Sequence, residues 1–74
     1  MLKQHPVYDQ RHGSPYDRGS SDSYYCRSPE PHYYEYGTGV GKRIEEADMT
    51  PWQITEYNAG YDANERAGDY KDYR

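Results

Sequence analysis

The residues with the most chemistry to offer are one cysteine and three histidines. Cys26, His5, His12 and His32 are a thiol and three imidazoles. A Cys26/His32 pair would be a nucleophile and its base, but such a pair needs a rigid frame to hold the two in reach. Pro29 and Pro31 place the intervening chain in a loop. The same four residues would be zinc ligands if they were paired at short intervals, as in zinc knuckles or a helical His-x-x-x-His. None is so spaced. The stretch Gly37-Thr38-Gly39-Val40-Gly41-Lys42-Arg43 resembles a phosphate-binding loop only in composition. Tyr36 stands where that loop's first glycine belongs and Arg43 where its magnesium-binding hydroxyl belongs. Lys42 likewise replaces the third glycine of a dinucleotide-binding turn. A glycine hinge is the expected role. No catalytic residue, metal or cofactor is expected, and the chain is read as a non-enzyme.

Tyrosine is the abundant functional side chain, with 11 copies beside a single Trp52 and no Phe. Rings next to bases, as in Tyr24-Tyr25 with Arg27, suit stacking on single-stranded nucleic acid. Affinity for nucleic acid rests on neutralising phosphates, and the net charge is −4. Residues 1–43 carry six bases and five acids, a balance of +1, and residues 44–74 carry three bases and eight acids, a balance of −5. Nucleic acid is therefore disfavoured as a partner, and a basic protein surface is favoured.

Something must position these rings, and little aliphatic material exists to do so. Leu2, Val7, Val40, Ile44 and Ile54 are the whole aliphatic set in 74 residues. That share lies far below the ~20% under which chains read as disordered. Each buried tyrosine also needs a partner for its hydroxyl. One small domain at most is expected, made of a turn-rich aromatic arm over 1–43 and an acidic helical segment over 44–74. No run approaches the ~18 apolar residues of a membrane span. The N-terminal residues have no apolar stretch of the secretory kind. A lone cysteine fits a reducing compartment.

The clearest local signal starts at Thr50. Thr50 suits an N-cap, Pro51 the first helical position, and Gln53 completes a capping box. Met49 and Ile54 are placed for a hydrophobic staple. Gly68 is a natural stop. Residues 51–67 are expected to form the principal helix, with Gly60 a weak point of ~1 kcal/mol relative to Ala. The fold class expected is thus a small, mostly irregular, Tyr-rich chain with one C-terminal α-helix and a short extended piece near 32–36. In the arm, Gly13-Ser14-Pro15 and Gly19-Ser20-Ser21-Asp22-Ser23 read as turns. Tyr8-Asp9-Gln10-Arg11 and Tyr16-Asp17-Arg18 echo each other loosely.

Ile54, Tyr57 and Tyr61 form one stripe of the helix, and the arm is expected to cover it. Trp52, Ala59, Ala63 and Ala67 lie on the other side. The patch Trp52, Ala59 and Ala63, flanked by Glu56, is the candidate partner-binding surface, because an exposed indole is a common hot-spot residue. The alternative is that Trp52 is the buried anchor of the arm.

Two stretches resemble known sequences. Pro15-Tyr16-Asp17-Arg18-Gly19-Ser20, then Asp22-Ser23-Tyr24-Tyr25, Arg27 and Pro31-His32, are similar to the front of small uncharacterised proteins of tailed bacteriophages and prophages. Thr50-Pro51, Ile54, Glu56-Tyr57, Gly60-Tyr61, Asn64, Gly68 and Lys71-Asp72-Tyr73 are similar to their ending. Ser21 and Tyr73 depart from that pattern, where alanine and often tryptophan stand. The resemblance implies a phage accessory protein acting in the bacterial host cytoplasm, or alternatively in the virion. It brings no established activity. With the aromatic surface, it implies a host macromolecule as partner, a protein ahead of nucleic acid or a structural role in the virion. Tyr57-Asn58-Ala59-Gly60-Tyr61 also resembles ribosome modulation factors, but that family is strongly basic and this chain is acidic.

Overall fold

The computed structural model describes residues 8–37 and 41–71. His5, most of the glycine-rich hinge (38–40) and Tyr73 lie outside them. The order is helix α1 (Pro15–Tyr24), strand β1 (His32–Tyr34), strand β2 (Arg43–Glu45), a 3-10 turn (Glu46–Asp48) and helix α2 (Pro51–Ala67).

Helix α2 starts as its residues dictate. The Gln53 amide donates to Thr50 Oγ1 at 3.1 Å, and the Thr50 amide donates to Gln53 Oε1 at 2.8 Å. These two bonds satisfy amides that the helix itself cannot. At the other end Gly68 takes the left-handed conformation (φ 66°) and its amide donates to Asn64 O.

The arm is not irregular throughout, and this corrects the sequence reading. Pro15 and residues 19–23, expected in turns, lie inside α1, which is ten residues long, while Gly13 and Ser14 lead into it. Its start repeats the logic of α2. Ser14 Oγ accepts from the Asp17 amide, and Pro15 occupies the first turn. Asp17 Oδ2 accepts from the Gly13 amide at 2.8 Å. The helix ends in a Schellman motif. The Arg27 amide donates to Asp22 O at 2.8 Å and the Cys26 amide to Ser23 O at 2.9 Å. Cys26 takes the left-handed position usually given to glycine, with φ 58°.

The extended piece is shorter than expected. β1 pairs antiparallel with β2, with His32 opposite Glu45, Tyr33 opposite Ile44 and Tyr34 opposite Arg43. The Tyr34 amide donates to Gly13 O at 2.9 Å, which ties the hairpin to the start of α1.

The two helices cross with their backbones in contact. A Cβ on Gly19 would stand 2.0 Å from Tyr57 O, and a Cβ on Gly60 would stand 2.1 Å from Tyr16 O. Gly60 is therefore the packing point of α2 rather than its weak point. The buried face of α2 is Glu56, Tyr57 and Gly60, with Tyr57 from the first stripe and Glu56 and Gly60 between the two stripes distinguished in the sequence. Ile54 and Tyr61 are half-buried, and Tyr57 alone of that stripe is fully buried.

Candidate functional site

Tyr57 enters the interior with its hydroxyl, and a polar network receives it. Its O–H donates to Asp22 Oδ2 at 2.5 Å and accepts from the Glu30 amide at 2.9 Å. Burial is the main reason the phenol is held neutral well above its usual range, and the bond to Asp22 adds to it. Asp22 Oδ1 also lies 3.4 Å from Arg27 Nη1 and 3.8 Å from Arg18 Nη2. A carboxylate only 3% exposed is thereby compensated by two guanidiniums.

His32 completes the network. Arg18 Nε donates to His32 Nε2 at 3.0 Å, and His32 Nδ1 lies 2.7 Å from Glu30 O. An arginine has no acceptor, so Nε2 carries the lone pair and Nδ1 the proton. Both ring nitrogens are engaged and the residue is 2% exposed. Cys26 is exposed at the end of α1. His32 is thus a structural histidine, with no nitrogen left to serve as a base for the thiol. Among the described residues no group of three or more His, Cys, Asp or Glu is arranged to hold a metal ion.

The aromatic surface lies at the start of α2. Trp52 is 48% exposed. Its ring stacks on Tyr8 at 5.5 Å between centroids, and Tyr8 stacks on Tyr16 at 5.3 Å. Three rings from the arm, α1 and α2 thus form one continuous stack. Trp52 is neither a buried anchor nor an isolated exposed indole. Ala59 and Ala63 are half-buried on the same side of α2. Glu56 is placed differently from the expectation. It is 5% exposed, and its Oε2 accepts from the Asp9 amide at 2.9 Å, so it tethers the arm rather than flanking an open patch.

Tyr8 and Tyr16 were not singled out from the sequence as partners of Trp52. The Tyr-Asp echo was the available signal. Its two tyrosines stack on each other, and its two aspartates both brace the turn before α1. Ser14 Oγ donates to Asp9 O at 2.7 Å, and Asp17 takes the Gly13 amide.

Beside the stack opens a polar cleft of about 440 Å³. Asp9, Pro15, Gln53 and Glu56 form one wall, and the hairpin residues Tyr33 to Gly37 form the other. Arg11 pairs with Asp9 at 2.7 Å, which holds the Asp9 carboxyl below its usual range. No helix among the described residues is long and apolar enough to cross a membrane.

Comparison with protein-family models, with curated proteins and with solved structures finds no match for this chain.

Proposed function

We propose that this chain is a non-enzymatic binding protein, a bacteriophage accessory product that acts in the host cytoplasm by engaging a host protein. The observation that carries the reading is the Trp52–Tyr8–Tyr16 stack. Large aromatic rings held by one another lose little freedom on binding, and such residues are enriched in interface cores. Half of the Trp52 ring is open to a partner. The exposed Asp62 on α2 and the balance of −5 over residues 44–74 favour a basic partner surface. The phage origin rests on the sequence motifs quoted above.

The test is Trp52→Ala in a capture experiment from host lysate, run beside a circular dichroism melt. Loss of a half-exposed ring stacked on a neighbour is expected to lower stability by about 1 kcal/mol. Partner capture is expected to weaken by ~2 kcal/mol or more, the usual scale of a hot spot. A variant that loses its melting transition makes Trp52 a core residue and ends the reading. Binding to a single-stranded oligonucleotide that collapses with salt would replace the protein partner by a nucleic acid.

A further inference from the structure

The cleft beside the aromatic stack has a chemistry of its own. Its lining includes the carboxylate of Glu56. Glu56 is 5% exposed, and among the described residues Oε2 has the Asp9 amide as its partner while Oε1 has none. The free oxygen is open to solvent, since Glu56 Oε1 is not among the sealed, unpartnered atoms, and a cation reaching it would pair with the carboxylate. The other charges do not supply one. Arg11 is committed to Asp9 through its Nε and Nη2, three hydrogen bonds in all. Glu35 adds a second carboxylate on the hairpin side, and His12 also lines the cleft.

The remaining wall is aromatic. Tyr33 and Tyr36 line the cleft, and Tyr36 is 76% exposed. Elsewhere in this chain, tyrosines already sit against guanidiniums. Arg18 lies over the Tyr34 ring at 5.6 Å, and Arg27 lies over Tyr25 at 5.0 Å. A cleft with a buried carboxylate, a second carboxylate and open phenol rings is matched by a planar cation. A guanidinium stacks on rings, bonds carboxylates in a fork and is weakly hydrated, which favours it over an ammonium.

We propose that this cleft receives an arginine side chain from the partner protein. Its source rests on the binding reading above, while its chemistry does not. The cleft also borders the proposed interface directly. Asp9, Pro15 and Gln53 of the cleft are chain neighbours of Tyr8, Tyr16 and Trp52 of the stack. A partner covering the stack would present its side chains at the cleft mouth.

The test uses the full chain and the peptide acetyl-Gly-Arg-Gly-amide, followed by backbone amide shifts in NMR. Weak saturable binding is expected, with shifts at Glu35, Gly37 and Glu56. The citrulline peptide has the same shape without the charge and is expected to bind about tenfold or more weakly, as a lost charge-assisted bond implies. Glu56→Gln keeps an acceptor for the Asp9 amide and should reduce arginine binding by a similar factor with an unchanged melt. Tyr36→Ala should reduce it without touching Glu56. Trp52→Ala should leave it intact, so failure of host capture and failure of the cleft are read separately. Equal binding of the citrulline peptide, undiminished binding by a folded Glu56→Gln variant, or no saturable shift at all would overturn the assignment.

Discussion

Helices α1 and α2 begin alike and are built oppositely. Each opens on a hydroxyl N-cap followed by proline, Ser14-Pro15 in one and Thr50-Pro51 in the other. Helix α2 then presents a ring-rich stripe that reads as a helix. Helix α1 buries Pro15, Arg18, Gly19, Asp22 and Ser23. That set has helical spacing, but hardly any of it is apolar. Its glycine and serines are poor helix formers in isolation. So α2 has a helix signal in its own residues, and α1 is a helix because α2 and His32 satisfy its buried polar groups. A helical period can thus be carried by charge and by missing side chains as well as by hydrophobicity.

The sharpest way to break this comparison is at the crossing. By intrinsic propensity, Gly60→Ala should stabilise α2 by ~1 kcal/mol. Because its Cβ would meet backbone of α1, the structure demands a loss of about 3 kcal/mol or more. Gly19→Ala should behave alike. A chemical denaturation series decides the sign, and stabilisation by either variant would mean that the helices do not meet there.

The polar half of the interface comes next. Tyr57→Phe leaves Asp22 and the Glu30 amide without the hydroxyl, at a loss of ~1–3 kcal/mol. The same hydroxyl sets an alkaline limit. A free tyrosine ionises near pH 10, and folding raises the Tyr57 value through burial and the Asp22 bond. Its stabilisation is therefore complete below about pH 10 and is lost as pH rises beyond, because the unfolded chain releases the proton first. Melting temperature should fall above pH 10, and less steeply in Tyr57→Phe. Some slope should remain, since Tyr61 and Tyr70 shift in the same direction, mainly through burial.

The caps test whether the two starts are equivalent. Thr50→Ala and Ser14→Ala should each lose ~1 kcal/mol. Ser14 should lose somewhat more, because its hydroxyl also donates to Asp9 O. The smallest effect is expected at Cys26. A left-handed residue with a Cβ is strained, so Cys26→Gly should raise stability by no more than ~1 kcal/mol. An unchanged or lower melt would mean that the Schellman turn is not populated.

Much of α2 and little of α1 was legible in the residues. Thr50, Pro51, Gln53 and Gly68 each act locally, and a local device can be read without knowing its neighbours. Ser14-Pro15 is the same device, but the glycine and serines after it made it read as a turn. For Trp52 the residues left both a surface ring and a buried anchor open, and its half-exposure is a tertiary fact. Its partner Tyr8, and Tyr16 behind it, were not legible, because stacking across the 44 positions from Tyr8 to Trp52 leaves no spacing to read. Glu56 read as a surface charge, since an acid on a helix is usually solvated, and its burial depends on the Asp9 amide arriving from the arm.

By itself the sequence determined the bounds of α2, the want of an aliphatic core and the acidic balance of residues 44–74. These follow from caps, composition and charge, which need no partner in space. Only the tertiary structure decided that α1 is a helix and that Gly60 is a contact rather than a flaw. Only there does Glu56 become a buried carboxylate at the foot of a cleft. Each of these depends on a group far along the chain: the Tyr57 carbonyl at Gly19, the Tyr16 carbonyl at Gly60, the Asp9 amide at Glu56. A backbone contact or a single hydrogen bond leaves no periodic trace in residue types, so it is settled only when the chain closes on itself.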